Sequence, residues 1–166
     1  MRFYYIDNIY ISYILMLNTM EGGISMYKAI DLSKYIVSKC VRDNIPISNL
    51  QLQKILYYIQ KEFLHDKGQA SFSDDIEAWQ FGPVVPNVYY FFCGFGAMPI
   101  FRTYDNISVC GTDLSKIDAI VEEKRILDPW ILVRDTHKPE GAWATVYKNG
   151  SGNHKVIPLH LIKAVG

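Results

Sequence analysis

A mainly α-helical single domain with one or two short β-strands, compact and α-rich within the α+β class, is predicted by three features of the sequence. Apolar residues recur at helical spacing in several stretches, most clearly at Leu52, Ile55, Leu56, Ile59 and Phe63. That period gives way to alternation around Ile76 to Phe81, which reads as a short extended segment. The third feature is the lack of repeats or interdomain linkers, in a chain of 166 residues with 49% hydrophobic content, enough for one core.

The elements follow in order. Residues 1–25, MRFYYIDNIYISYILMLNTMEGGIS, stand apart from the rest. Their longest nearly uncharged stretch, Asn8 to Met20, is too short for a confident membrane span. No small-residue cleavage site follows it. The codons for Met20-Glu21-Gly22-Gly23 permit a purine-rich stretch of the ribosome-binding type just ahead of Met26. Residues 1–25 are therefore expected to be a translated leader or non-domain extension, and residues 26–166 the domain.

Leu32, Tyr35, Ile36 and Cys40 predict a helix from about Ala29 to Arg42, broken by Asn44-Ile45-Pro46. Ser48 with Gln51 three residues on forms a capping-box signature for the long second helix, and Gly68 closes it. The extended segment Ile76–Gln80 runs into Gly82-Pro83, read as the turn. A further helix restarts with Pro86 in its first turn, with Val85, Val88, Tyr89 and Phe92 facing the core, and stops at Gly94 and Gly96. Ile117, Ile120 and Val121 lie on one face of another helix. Asp128 caps the next, with Pro129 at its first position. Residues 139–157 read as a loop with a polar tip at Asn149 to Asn153, and a terminal helix follows Pro158.

Composition excludes several functions. Lys+Arg and Asp+Glu number 17 each and no basic run occurs, so the electrostatic footprint of a nucleic-acid binder is missing. Cys40, Cys93 and Cys110 are odd in number and scattered, which argues against a disulfide framework or a zinc site and for buried free thiols in a reducing cytoplasm. No histidine sits in a metal-ligating pattern, no phosphate-binding loop occurs, and no cofactor or metal is expected. The acids Asp74, Asp75 and Glu77 read as a solvated turn. His137, near Asp135 and Glu140, is the best lone candidate for a general base, yet a histidine closing a helix is the simpler reading. A non-catalytic protein is expected.

Four stretches in order, LQLQKILYYIQKEFL, DDIEAWQFGPVVPNVYYFF, WILVRDTHKPEGAW and VIPLHLI, resemble the Panacea domain of SocA-like antitoxins, also called phage-associated GepA-like proteins. The resemblance runs from about Ala29 to the C-terminus, with no match between Phe95 and Lys116. It implies a small helical antitoxin of a toxin–antitoxin system, cytoplasmic and of phage or prophage origin, that neutralises a cognate toxin by direct protein contact. One branch of the family acts instead as an adaptor to a Clp-type protease, and a phage-encoded inhibitor of a host protein is a related alternative. Many members carry an N-terminal helix-turn-helix domain. Residues 1–25 lack that pattern, so direct DNA binding is not expected.

The motif residues divide into two groups. Gln53, Leu56, Gly82, Pro83 and Pro86 are expected to fix the corner between helices and strand. Tyr57, Tyr58, Gln60, Trp79 and Tyr89, with His137 and Trp143, are the candidate partner-binding residues, since aromatic side chains suit protein recognition.

Overall fold

The computed structural model describes residues 26–105, 107, 109 and 111–166. The expected leader, residues 1–25, and Cys110 lie outside the described residues.

The first helix, α1 (Ala29–Arg42), buries Leu32, Ile36, Val37 and Cys40 along one stripe. Its N-cap, Lys28, supplies no side-chain acceptor, and Asp74 from a distant loop takes the Ala29 N–H at 2.8 Å. This acid thus serves a helix terminus. A second helix, α2 (Asn49–Lys67), begins with the full capping box between Ser48 and Gln51 and ends on Gly68 at φ 69°. Packing on all sides makes α2 the axis of the domain. Helix α1, strand β2 and four later helices lie against it, so it buries polar Gln53, Lys54 and Gln60 along with its apolar residues.

Strands β1 (Glu77–Trp79) and β2 (Gly82–Val84) form an antiparallel hairpin, with Ala78 opposite Pro83 and Trp79 opposite Gly82. The Gly82-Pro83 pair is therefore not the turn that its composition suggests. Gln80 and Phe81 make the turn, and Gly82-Pro83 enters the ladder on an edge strand, where a proline is tolerated. A third strand, β3 (Lys155–Val156), pairs antiparallel with the other side of β1, giving the order β2-β1-β3.

Helix α3 (Pro86–Phe92) starts on Pro86 and passes into a single 3₁₀ turn, Cys93–Phe95, closed by Gly96 at φ 56°. Val85, Val88 and Phe92 are buried and Tyr89 is half-buried. Helix α4 (Gly111–Arg125) presents Ile117, Ile120 and Val121 inward. Helix α5 (Pro129–Thr136) is capped by Asp128, which accepts the Trp130 N–H at 2.8 Å. Helix α6 (Ala142–Tyr147) and β3 both fall where the sequence reads as loop. Six residues are too few to show a helical period, and α6 is anchored by Ala142 and Trp143, which are buried. The chain ends in α7 (Leu159–Val165). Mainly α with a small sheet is thus the fold, with three strands among the described residues. Cys40 is buried, but Cys93 is exposed because it follows the last turn of α3. No helix among the described residues is long and apolar enough to cross a membrane.

Candidate partner-binding site

Two of the three glutamines of the second helix, Gln53 and Gln60, stand seven residues apart, hence two turns apart on one face. Each holds a distant piece of backbone. The Gln60 carbonyl accepts from Ser71 N (2.8 Å), Ser71 Oγ (2.7 Å) and Phe72 N (3.3 Å), and its amide donates to Phe72 O at 3.0 Å. Gln60 is fully buried. It belongs to the interior, which corrects its expected place among surface residues: a glutamine side chain inside a helical core needs partners, and here residues 71–72 supply them, through backbone and the Ser71 hydroxyl. Gln53 accepts the Val85 N–H at 2.9 Å and donates to Asn49 Oδ1 at 2.9 Å. Asn49 in turn donates to Tyr89 O at 3.0 Å, so this chain of bonds sets where α3 begins. Leu56 is buried in the core cluster beside them.

Between these two glutamines lies Lys54, whose burial no periodicity announces. Its ammonium has one partner among the described residues, the carbonyl of Pro83, at 3.0 Å. Gly82 passes so close that a Cβ there would stand 2.8 Å from Lys54 Cε and 2.8 Å from Thr136 Oγ1. Desolvation pulls the Lys54 amine down from its ordinary range to about 7. The sign of the linkage follows. Above about pH 7 the unfolded chain keeps a proton on this amine that the folded chain has released, so stability rises with pH there and is lost as pH falls. Between pH 7 and 8 this group contributes a slope approaching about 1.4 kcal/mol per pH unit. Urea unfolding of the native chain beside Lys54→Met checks it: the variant lacks that component of the slope, and equal slopes would refute the assignment.

His137 closes α5, its backbone N–H reaching Arg134 O. Its ring lies flat on Trp143, with centroids 3.6 Å apart and planes 4° apart, and Trp143 stacks on Tyr147 at 4.5 Å. Nε2 of His137 is buried without a hydrogen-bond partner among the described residues. Burial and the nearby Lys54 charge lower its pKa. An imidazole stacked in this way has no orienting carboxylate among the described residues, which a general base wants. Trp143 donates its indole N–H to Trp79 O at 2.8 Å, tying α6 to β1. Both Trp143 and His137 therefore brace the corner from within.

The alternation of β1 sends Ala78 inward and Glu77 and Trp79 outward. Trp79 donates to Glu77 Oε2 at 2.8 Å, and its ring meets Tyr89 edge-on at 4.9 Å, Tyr90 at 6.0 Å and His154 at 4.5 Å. Next to this cluster, in the β1–β2 turn, Phe81 meets Trp130 edge-to-face at 5.6 Å. Both are strongly exposed, at 48% and 59%, and Tyr90 reaches 61%. The motif reading passes over Phe81, Tyr90 and Trp130, because exposure is a tertiary property. Tyr57 and Tyr58 lie elsewhere, on the opposite side of α5's length. They line a cleft of about 590 Å³ with Lys61, Asp135 and Lys138. Burial raises both phenols, Tyr58 to about 12. The candidate residues thus separate into an interior brace, an aromatic surface around Trp79 and Tyr89, and a cleft at Tyr57 and Tyr58. Among the described residues no cluster of three His, Cys, Asp or Glu could hold a metal ion.

The brace is built from the sequence blocks at 52–60, 77–89 and 130–143. The family profile described as "Antitoxin SocA-like, Panacea domain" matches residues 52–144, which span all three. The chain belongs to this family. A relative from Caulobacter vibrioides (strain NA1000 / CB15N), "Antitoxin SocA", is 45% identical over 150 residues, covering 81% of this chain and 77% of the relative. No solved structure gives a significant match. In this Panacea-family chain the matched segment holds Gln53, Lys54, Gly82, His137 and Trp143, which join α2, the hairpin and α5–α6, and Gln60, which ties α2 to residues 71–72.

Proposed function

We propose that this chain is the antitoxin of a toxin–antitoxin pair and neutralises its toxin by direct protein–protein binding, without chemistry of its own. The observation that carries this reading is the exposed aromatic surface of Phe81, Trp130 and Tyr90, mounted on a rigid internal brace. Large aromatics that stay exposed in a folded domain are the usual anchors of a protein interface, and Trp and Tyr dominate binding hot spots. Similarity to a relative named as an antitoxin supports the same reading. The toxin is expected to be the product of the neighbouring reading frame.

A growth assay tests it. The neighbouring frame is induced with and without this chain, and toxin abundance is followed together with growth. Masking predicts restored growth at unchanged toxin level, whereas delivery to a protease predicts restored growth with the toxin depleted. A harmless neighbour, or no rescue, refutes the antitoxin reading. In the same assay Phe81→Ala/Trp130→Ala is expected to lose rescue and to weaken binding of the purified partner more than tenfold. Loss of hot-spot aromatics typically costs over about 1.4 kcal/mol of binding. The thermal midpoint should stay near that of the native chain, since both side chains are already half in solvent.

A further inference from the structure

A second surface lies at the other end of α5. Trp130 stands at its N-terminus, and Asp135 at its C-terminus faces α2 across a groove. Two clefts meet there, of about 590 and 480 Å³. They share Tyr58, Lys61, Asp135 and Lys138 as lining residues, so they form one elongated channel along the outer face of α2.

Its polar groups are open to a ligand. Among the described residues Lys61, Lys138, Asp135 and Glu140 enter no ion pair, although both signs stand around the same cleft. The Tyr57 side chain is only 4% exposed, lines the cleft, and makes no hydrogen bond through its hydroxyl among the described residues. That hydroxyl is not sealed in the interior and opens into the cleft. At the groove's other side Lys124 sits 4.4 Å over the Tyr58 ring, which leaves that ring positioned and rigid.

These features select the occupant. Cations matched by anions do not suit a polyphosphate or a nucleic acid, whose binding needs an excess of positive charge. Four unpaired charged side chains around the cleft, Lys61, Lys138, Asp135 and Glu140, do not suit a lipid or an apolar helix. An elongated channel with both charges and a free hydroxyl suits an extended peptide. The peptide's main chain would pair with Tyr57, and its acidic and basic side chains would reach Lys61, Lys138 and Asp135. We propose that this groove binds an extended segment of the partner protein that carries both acidic and basic residues, so that the partner is held at both ends of α5. The inference rests on the partner-masking function proposed above and names a second contact for it.

Overlapping 15-residue peptides tiling the neighbouring frame's protein are probed with the labelled full chain. The expected result is capture by one run of overlapping peptides containing both charge signs. That capture should fall at least tenfold for Lys61→Glu/Lys138→Glu and measurably for Tyr57→Phe, and persist for Phe81→Ala/Trp130→Ala. Circular dichroism confirms that each variant is folded, and Tyr57→Phe keeps the test valid if the charge reversal is not. A blank array with the intact neighbour still bound overturns the groove assignment and leaves the antitoxin reading standing. Capture unchanged in the folded groove variants does the same. If the intact neighbour does not bind at all, both readings fall together.

Discussion

Replacing Gln60 with leucine is expected to cost about 3–5 kcal/mol of folding stability. The substitution leaves the Ser71 N–H, the Phe72 N–H and the Phe72 carbonyl without the partner that satisfies them. Each buried orphan costs about 1–3 kcal/mol, and the transfer of a leucine side chain into the core returns only about 2 kcal/mol. Leucine also lets go of residues 71–72, which carry the Tyr27–Phe72 bridge and lead into the α1-capping Asp74. Typical domains hold about 5–15 kcal/mol in all, so the urea midpoint should fall far. A loss below about 1 kcal/mol would show that water or a shifted loop takes over these bonds. In that case Gln60 is not the clamp described here.

The second large effect is at Gly82. Its φ of 103° is one that L side chains rarely adopt, and an added Cβ meets Lys54 and Thr136 at 2.8 Å. Backbone strain of about 1–3 kcal/mol and overpacking of about 1–3 kcal/mol act together, so Gly82→Ala should lose about 2–6 kcal/mol. Lys54 is the group that must yield. Its bond to Pro83 O is its only one among the described residues, and Thr136 Oγ1 is fixed on Val133 O at 2.8 Å. Gly94→Ala is the control, because a Cβ there meets nothing within 4 Å and the change should stay within about 0.5 kcal/mol. Equal urea midpoints for the two variants would remove the close approach from the account.

Much of this architecture is legible in the residues, for identifiable reasons. The ends of α1 and α2 are written in local chemistry: a break at Asn44-Ile45-Pro46, a capping box at Ser48 and a left-handed glycine at Gly68. Asp128 and Pro129 announce α5 in the same way. Where structure depends on a remote partner, sequence reading misleads. Gly82-Pro83 has turn composition, but the hairpin turns at Gln80-Phe81 so that Gly82 can pass over Lys54. Helix α6 is fixed by one indole bond to Trp79 across 64 residues, a signal no local window contains. The site was harder still. Gln60 and Trp143 carry polar or aromatic groups that suit a surface, yet their partners lie inside the fold. Phe81 and Trp130 look like ordinary core aromatics until the hairpin and α5 bring them together in solvent.

The bond from Trp143 to Trp79, and the pairing of β3 with β1, also set a schedule for synthesis. Ribosomes add roughly 5–20 residues per second, so the 64 residues between the two tryptophans take roughly 3–13 s to appear. Through that interval the nascent hairpin lacks both its outer strand and its indole clasp, with Ala78 and Trp79 still unpaired on one side. Helices α1 and α2 and the β1–β2 pair can form early, but the sheet is completed only when β3 has left the exit tunnel. A truncated or stalled translation product would therefore present an open strand edge, a substrate for proteases and chaperones in place of a finished inhibitor.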